Sequence, residues 1–579
     1  MTRNLLNNIY KTNLILVLLF VSFLAFADKK PPVIDYKSIS HPVIGSKGMV
    51  VSQREIASRV GADILLKGGN AIDAAVATSF ALSVVLPRAG NLGGGGFMLV
   101  YLKKEDKTIA IDYRERAPLK ATRDMFLDSN GNYDKNKARF SLLSAGVPGT
   151  VAGMKFALEN YGTMTWSEVI QPAIDLAEGF LVPHDLSSVT NSYKKRLQRN
   201  QATKEAYYKE SGEAYLPGEV MKLTDLAWSL KKIRDEGPYA FYEGDIAKKI
   251  VSEMKRGGGL ISMEDLSTYK VSLREPVVGT FKGYKIVSMP PSSSGGVHII
   301  QMLNMLEETS IKEMGFGSSD SIHLLSEVMK RAYADRSKFL GDMDFVEVPV
   351  NALTSKDYAK QLLKDVSQDL ATPSKKILPG NPSPYESPDT THFSVMDSEG
   401  NTVSNTYTLN FSFGSGITIP GTGILLNNEM DDFSSKPGVP NAFGLLGAEA
   451  NSIEPQKRPL SSMTPTIIFK GNDPYLVLGS PGGSRIISTV LQVIVNVLVH
   501  EMNIAEAVNS PRIHHQWYPD TLYVEKGYSP DTLKLLEKKG HSLSSSGTMG
   551  SVHAIIKEED YFYGAADTRR PNSGAIPVD

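Results

Sequence analysis

The pattern of apolar and polar residues changes abruptly at residue 390. Residues 381–389 contain three prolines among turn-forming residues. The next positions alternate, with Thr391, Phe393 and Val395 on one side and Thr390, His392 and Ser394 on the other. Such alternation predicts a strand that begins at Thr390, directly after a turn-rich loop. A hydroxyl nucleophile would be well placed at this strand end.

Helical spacing dominates the chain before this point. Residues 51–86 predict two helices, because apolar residues recur every three or four positions on both sides of a Lys67-Gly68-Gly69-Asn70 break. Later segments continue the pattern. Helices are predicted at residues 147–159, 166–180, 223–235, 246–255, 319–339 and 486–498, and strands at residues 97–102, 109–113, 277–281, 284–288 and 475–478.

Residues 403–412 predict one long strand with an unusual polar face. One face carries Val403, Tyr407, Leu409 and Phe411, with Asn405 as a polar exception, and the other carries Ser404, Thr406, Thr408, Asn410 and Ser412. Hydroxyl and amide groups that are buried must be hydrogen-bonded. This face is therefore either exposed to solvent or part of a buried polar network, and the pattern leaves both interpretations open.

Two glycine-rich loops are candidates for backbone chemistry. Residues 91–96 lead into a strand, and no Lys-Ser or Lys-Thr follows them, so close backbone approach is favoured over a phosphate loop. The second loop, residues 479–484, lies between a strand and a helix. Backbone N–H groups of consecutive glycines, here Gly482 and Gly483, can form an oxyanion hole in such a place.

Composition narrows the possible chemistry. The chain has 579 residues, of which 41% are hydrophobic and 22% charged, so it can bury a large core. Its formal net charge is -1, with both signs mixed along the sequence, which gives no electrostatic footprint for nucleic acid. Because the chain contains no cysteine, disulfides and thiolate nucleophiles are excluded.

The N-terminal residues have the pattern of a secretory signal. Arg3 and Lys11 precede the apolar residues 14–26, and Ala25-Phe26-Ala27 is a small-x-small cleavage site. The alternative is an uncleaved anchor, but the apolar run is shorter than the roughly 20 residues that a spanning helix needs. We therefore expect residues 1–27 to be removed and the protein to be exported, to the periplasm or beyond the cell, with no membrane span in its mature form.

Charged and imidazole groups supply further candidates. Arg114 follows a predicted strand and is either solvated surface or a bidentate clamp for a substrate carboxylate. The adjacent His514 and His515 would point to opposite faces of a strand, so they do not indicate a metal site. No residue pattern implies a cofactor or a metal.

Several separate motifs resemble the gamma-glutamyltranspeptidase family. They occur in the family's order and extend over essentially all of the mature chain. They comprise Thr390-Thr391-His392, Thr408-x-Asn410, residues 427–433, 458–463 and 479–485, together with residues 91–97 and Arg114 in the first half.

The resemblance implies an N-terminal nucleophile hydrolase. Its fold would be α+β, a four-layer αββα sandwich built jointly by two fragments of one precursor. The Thr390 hydroxyl would attack the carbonyl of Asp389, producing a large subunit of residues 28–389 and a small subunit of residues 390–579. The freed α-amine, with an ordinary pKa of about 7.7 to 8.0, can then serve as the base for its own hydroxyl.

The resemblance also implies a role for each candidate. Thr390 would accept the gamma-glutamyl group of glutathione or a related donor, Thr408 would orient it, and Gly482 and Gly483 would stabilise the oxyanion. Water, an amino acid or a peptide would then take the group. For the donor's head group, Arg114, Ser461 and Ser462 would bind the carboxylate, and Asn410, Glu429 and Asp432 the ammonium.

One position departs from the family. Residues 436–447 resemble its lid loop, but Phe443 stands where bacterial relatives commonly carry tyrosine, so a hydrogen bond to Asn410 is lost and a looser lid is expected. Two alternatives remain: a sibling acylase for glutaryl-type side chains, and an inactive secreted binding scaffold. The first lacks an ammonium for Glu429 and Asp432 to bind, and the second needs no free threonine.

Overall fold

Two antiparallel sheets of seven strands each form the centre of the molecule. The computed structural model describes residues 38–378, 390–434 and 449–579. In order across it, sheet I contains Gly574–Val578, Gly48–Ser52, Thr390–Asp397, Thr402–Thr408, Gly95–Leu102, Lys107–Tyr113 and Ser272–Arg274. Sheet II contains Val43–Gly45, Tyr561–Ala566, His553–Glu558, Asp473–Leu478, Thr466–Lys470, Tyr284–Ser288 and Val277–Phe281.

The strand that begins at Thr390 lies in the middle of sheet I. It pairs over its length with Thr402–Thr408, and the register places Thr390 opposite Thr408. On its other side, pairing with Gly48–Ser52 begins only at Phe393. The first three residues of this strand therefore pair with a neighbouring strand on one side only, which leaves room for a site beside Thr390.

Alternate residues of the sheet I strands enter two different hydrophobic cores. Val50 and Val100 belong to the core that contains the helices Glu55–Leu66 and Ala71–Val85. Their neighbours Val51 and Leu99 belong to the core that contains sheet II and the helix Gly295–Leu306. Because successive side chains of a strand point to opposite faces, one face of sheet I packs on helices and the other on sheet II.

Helices and short elements complete the fold. The remaining helices are Lys135–Phe140, Thr150–Tyr161, Trp166–Glu178, His184–Ser192, Lys194–Leu197, Gln201–Tyr207, Thr224–Glu236, Tyr239–Tyr242, Asp245–Gly257, Met263–Ser267, Ile311–Met314, Ser319–Phe339, Val350–Leu353, Lys356–Leu363, Arg485–Leu498, Ile504–Asn509 and Pro530–Lys538. Small sheets pair Thr418–Ile419 with Ile424–Leu425, Phe180–Leu181 with Val220–Met221, and Ile513–His514 with Leu522–Val524 and Leu543–Ser545. Single 3-10 turns span Lys103–Glu105, Leu142–Ser144, Ser374–Lys376, Glu429–Asp432 and Glu449–Asn451.

The predicted mixture of helices and strands is confirmed, and one long strand is corrected. Residues 403–412 were expected to form a single strand, but the strand ends at Thr408. Asn410 has a left-handed backbone with φ of 74°. That conformation cannot continue a strand, so the chain turns there. Of the two interpretations of the polar face, burial is confirmed, since Ser404, Thr406 and Thr408 are all buried.

Close backbone approach at the first glycine loop is also confirmed. A Cβ atom on Gly94 would lie 2.0 Å from the carbonyl oxygen of Thr408, and one on Gly96 would lie 2.5 Å from that of Thr406. The strand Gly95–Leu102 therefore starts within the glycine run, two residues earlier than the apolar pattern indicates. Larger residues would push this strand away from Thr402–Thr408 and disturb the register that positions Thr408.

Some sequence predictions lie outside the described residues. These are the signal segment 1–27, the processing residue Asp389 and the lid residue Phe443. Within residues 38–378, 390–434 and 449–579, no helix combines the length and apolarity needed to cross a bilayer. From Pro42 onward, the chain forms one compact unit.

Candidate active site

Two threonine hydroxyls meet at the start of the central strand. The hydroxyl of Thr390 donates a hydrogen bond to Oγ1 of Thr408 at 3.3 Å. Thr408 Oγ1 also accepts a hydrogen bond from the backbone N–H of Asn410, at 2.8 Å. Both threonines are nearly buried. Thr408 is therefore fixed by the turn that follows it and can orient the Thr390 hydroxyl.

The turn after Thr408 is tied to the segment that carries the acidic candidates. The Asn410 side-chain amide donates to the carbonyl of Asn428 at 3.0 Å, and Asn428 Oδ1 accepts from the Phe411 N–H. Next to it, Asn427 donates to the carbonyls of Gly93 and Gly146 at 2.8 Å each. These amides hold the 3-10 turn Glu429–Asp432 close to the end of the strand Thr402–Thr408, and therefore close to Thr390.

The second glycine loop presents backbone donors to the same region. Gly482 and Gly483 have positive φ values of 138° and 57°, which side-chain-bearing residues adopt only with strain. Their carbonyls accept the first hydrogen bonds of the helix Arg485–Leu498, from the N–H groups of Arg485 and Ile486. Neither glycine N–H donates to another described residue, and Gly483 lines the cavity that contains Thr390, where its N–H could serve a developing oxyanion.

Arg114 is the centre of a buried ion cluster. It lies just after the strand Lys107–Tyr113 and pairs through Nη1 with Glu429 and through Nη2 with Asp432, the latter at 2.6 Å. A third carboxylate, that of Glu115, lies 3.6 Å from Nη1. The solvated-surface interpretation of Arg114 is therefore wrong. Its charge is already shared among three carboxylates.

Burial and crowding perturb the protonation of this cluster. Burial raises the pKa of Glu429 to about 8 and that of Glu115 to about 7, against the opposing attraction of Arg114. Burial likewise raises the pKa of Asp432 well above its usual value. One guanidinium cannot neutralise three buried carboxylates, so the cluster holds a proton near neutral pH. It offers acceptors for a ligand's ammonium group.

Ser461 and Ser462 form another edge of the site. The carbonyl of Ser461 accepts from the N–H of Ser294 at 2.9 Å and from its hydroxyl at 2.8 Å. The hydroxyl of Ser462 accepts from Nη2 of Arg336 at 3.0 Å. Two serine residues and a cation thus lie together, and these groups could bind a carboxylate.

These groups line one cavity. Its walls contain Thr390, Thr408, Asn410, Arg114, Glu429, Asp432, Ser461, Ser462, Gly483, Arg336, Leu460, Met463, Ser484 and Ile486. Nine of the sequence-predicted residues are in this set. Gly482 is not, although its neighbour Gly483 is.

Sequence reasoning missed two charged residues of the site. Arg336 lies on the helix Ser319–Phe339, where an arginine in the last turn resembles an ordinary helix-end charge. Glu115 directly follows Arg114, where an acidic residue after a strand resembles an ordinary surface charge. Its complete burial in the structure distinguishes it from surface charge. Arg336 carries no local sequence signal, because its partners Ser294 and Ser462 are distant in the chain.

The two adjacent histidines, His514 and His515, have different partners. Among the described residues, no group of three or more potential metal-ligating side chains comes together. His514 hydrogen-bonds through Nδ1 to Ser488 at 2.7 Å, whereas His515 lies 3.5 Å from Asp520.

The arrangement has the parts of an acyl-transfer site. A positioned hydroxyl could act as a nucleophile, a backbone N–H of the glycine loop could stabilise an oxyanion, and cationic and anionic edges could hold a zwitterion. The cavity is therefore suited to a transferase or hydrolase that uses a hydroxyl nucleophile.

Comparison with known proteins assigns the chain to a family. Residues 57–576 match the model of Gamma-glutamyltranspeptidase. The glutathione hydrolase proenzyme of Escherichia coli is 52% identical over 552 residues, covering 94% of this chain and 95% of that protein. The chain belongs to the gamma-glutamyltranspeptidase family.

Solved structures of similar proteins agree with the fold. The cephalosporin acylase of Bacillus halodurans superposes with a TM-score of 0.83 at 25% identity, over 95% of this chain and 99% of that one. The gamma-glutamyltranspeptidase of Helicobacter pylori matches with a TM-score of 0.56 at 44% identity, over 60% of this chain and 97% of that one.

Proposed function

We propose that this chain is an autoprocessing gamma-glutamyltranspeptidase that cleaves the gamma-glutamyl bond of glutathione and related compounds. The acyl group passes to water or to an amino acid or peptide acceptor. The observation that carries the proposal is the hydrogen-bonded pair Thr390 and Thr408 in one cavity with Arg114, Glu429 and Asp432. A nucleophile and a site for an amino-acid head group are thus combined.

Maturation would break the Asp389–Thr390 bond. The Thr390 hydroxyl attacks the Asp389 carbonyl carbon, the C–N bond breaks as an ester forms, and water cleaves the ester to leave a carboxylate on Asp389 and a free amine on Thr390. The products are a large subunit of residues 28–389 and a small subunit of residues 390–579. Both contribute strands to each sheet, so they stay together as a heterodimer in a four-layer αββα sandwich. The packing of sheet I between helices and sheet II supports this arrangement.

The mature reaction follows the same chemistry. The Thr390 amine accepts the proton of its own hydroxyl, and the oxygen attacks the donor's γ-carbonyl carbon. Thr408 orients the nucleophile, while the N–H groups of Gly482 and Gly483 stabilise the oxyanion. The leaving amine, cysteinylglycine for glutathione, takes a proton as the C–N bond breaks. Water or an acceptor amine then attacks the threonyl ester and frees Thr390.

The head group of the donor binds across the cavity. Arg114, Ser461 and Ser462 are proposed to hold its α-carboxylate. Asn410, Glu429 and Asp432 are proposed to hold its ammonium, and the raised pKa values of the acids would fall once a cation binds beside them. This division requires Arg114 to exchange part of its present ion pairing for the ligand.

Two further proposals rest on sequence alone. Residues 1–27 act as a signal peptide, so the enzyme works after export, in the periplasm or outside the cell.

Phe443 covers the gamma-glutamyl group without the hydrogen bond that a tyrosine would give to Asn410. Phe443→Tyr should shift the ratio of hydrolysis to transfer; an unchanged ratio would refute the loose-lid idea.

A combined assay tests the proposed function. Purified protein is incubated and its fragments are weighed by mass spectrometry, and release of glutamate from glutathione is measured with and without a dipeptide acceptor. We expect a cut before Thr390 and acceptor-dependent transfer. An uncut chain would favour a binding scaffold. A cut protein that releases glutaryl groups, but no gamma-glutamyl groups, would favour an acylase like the Bacillus halodurans structural neighbour.

A further inference from the structure

Arg336 is a buried cation of the cavity that the proposed mechanism leaves unused. It lies at the end of the helix Ser319–Phe339, is 4% exposed, and lines the cavity together with Thr390. A buried charge is costly unless something pairs with it. Its partners therefore indicate its purpose.

Those partners are hydroxyls. Nε of Arg336 donates to Ser294 Oγ at 2.8 Å, and Nη2 donates to Ser462 Oγ at 3.0 Å. Ser294 in turn donates to the Ser461 carbonyl. Arg336 thus holds the Ser461-Ser462 edge directly and through Ser294.

Arg336 differs from Arg114 in its charge balance. Arg114 has three carboxylates around it, whereas Arg336 makes no ion pair with any carboxylate among the described residues. Its Nη1 also donates no hydrogen bond to a residue in the described ranges. Burial lowers the pKa of Arg336 to about 10, against the weaker attraction of Tyr333 and Asp432. The cation of the cavity that has no ion-paired carboxylate among the described residues is therefore at the serine edge.

We infer that Arg336 is a positioning residue for the donor's α-carboxylate: it fixes Ser462 and supplies positive charge that Arg114 shares with its own acids. The inference rests on the proposed function for the identity of the donor. Arg336 lies on the helix Ser319–Phe339, which contains none of the motifs that resemble the family. Loss of Arg336 should then weaken binding of donors with a carboxylate more than it slows the chemical step.

The test compares two donors that differ only in that group. Gamma-glutamyl p-nitroanilide carries the α-carboxylate, and 4-aminobutyryl p-nitroanilide lacks it. Arg336→Gln should reduce the wild type's preference for the first donor, measured as a ratio of kcat/KM values, by about 10- to 100-fold, mainly through KM. Arg336→Lys keeps the charge but not the two-pronged contact, so it should retain part of the preference.

Arg331 provides a matched control on the same helix. It is also 4% exposed, but its guanidinium binds Glu327 and the Leu362 carbonyl instead of the cavity. Arg331→Gln should leave the donor preference unchanged. Equal losses for both donors in Arg336→Gln would overturn the inference, because they would indicate general packing. If Arg336→Gln does not fold, Ser294→Ala decides, since an unchanged preference there would also overturn it.

A binding measurement separates this inference from the proposed function. L-glutamate should raise the Tm of the wild type more than 4-aminobutyrate does, and Arg336→Gln should abolish that difference. If the wild type releases no gamma-glutamyl group but this difference is present and is lost in the variant, the proposed function fails and the carboxylate inference stands. If glutamate does not stabilise the wild type, the inference falls.

Discussion

The hydroxyl side and the charged side of the cavity are held by different forces. Thr390 and Thr408 lie on adjacent paired strands, and the strand register sets them opposite each other. Arg114, Glu429 and Asp432 come from a strand end and a 3-10 turn more than 300 residues apart, and ion pairs hold them. The first side is neutral; the second contains buried charges.

This difference separates chemistry from stability. Removing a neutral hydroxyl from a paired strand leaves the backbone ladder intact, so activity should fall much more than stability. Removing one member of a buried ion cluster leaves its partners uncompensated, so binding and stability should fall together. Variants on the two sides test this distinction.

The largest effect is expected for Thr390→Ala. The variant lacks the oxygen that forms both esters, so it should remain one uncut chain, with activity lower by on the order of 10⁴-fold or more. Its Tm should stay near that of the uncut wild-type precursor. Fragment masses and glutamate release are the measurements.

The neighbouring Thr391 provides the control. It is fully buried, and its hydroxyl has no hydrogen-bond partner among the described residues. Thr391→Val keeps the shape and removes the hydroxyl, so processing and activity should remain close to wild type. A loss equal to that of Thr390→Ala would mean that the strand, and not the Thr390 oxygen, is being disturbed.

The next effect is expected for Arg114→Gln. It leaves Glu429 and Asp432 without their buried partner, which should cost about 3–5 kcal/mol of unfolding free energy. The kcat/KM for glutathione should fall by about 100-fold or more, because charged hydrogen bonds to the donor are also lost. Thermal unfolding and donor kinetics check both parts.

Arg54→Gln separates the two losses. Arg54 is equally buried and pairs with Asp185 at 2.7 Å, but it is not among the residues that line the cavity with Thr390. This variant should lose comparable stability and retain the donor KM. If Arg114→Gln behaved the same way, Arg114 would be only structural.

The strand on the hydroxyl side of the cavity could be predicted from the sequence more directly than the charged side. Alternation located the start of the strand Thr390–Asp397, because a period of two is a local property of the chain. The same alternation failed at Asn410, since a left-handed residue is fixed by its contacts with Asn428 and not by hydropathy. Local pattern thus predicts elements better than the points at which they end.

The charged side was predictable only through family resemblance. No periodicity associates Arg114 with Glu429, and no motif identified Arg336, because their meeting depends on the packing of distant elements. The resemblance supplied Arg114, Glu429 and Asp432 as ligands of a substrate. The structure adds that they are ion-paired to one another, which a role assigned residue by residue does not convey.

A moderate effect is expected for Thr408→Val. The change removes the acceptor of the Thr390 hydroxyl and leaves the buried Asn410 N–H unpaired, which should lower kcat by about 10- to 100-fold. The donor KM should change little, because the charged side is untouched. Thr408→Ser retains the oxygen and should remain near wild type; a similar loss in both variants would implicate the methyl group's packing instead.

The smallest expected effect is a change in how the stability of the charged side depends on pH. Glu115 and Glu429 have folded-state pKa values raised to about 7 and about 8 from 4.5. Between pH 4.5 and 8 the folded state therefore binds more protons than the unfolded state, and their contribution to stability is lost as pH rises. Glu115→Gln removes one such group. It should flatten the fall in stability between pH 5 and pH 7 by up to about 1.4 kcal/mol per pH unit.

The measurement is best made in the Thr390→Ala background, where the expected single chain avoids dissociation of fragments. Burial lowers the pKa of His553 to about 3. Its contribution to the free energy of unfolding is therefore lost as pH falls below 6.5. The His553 contribution is the same in Thr390→Ala with and without Glu115→Gln, so it cancels when the two stability profiles are subtracted. Parallel stability profiles with and without Glu115→Gln would mean that Arg114 neutralises all three carboxylates, and that the charged side is better compensated than its geometry indicates.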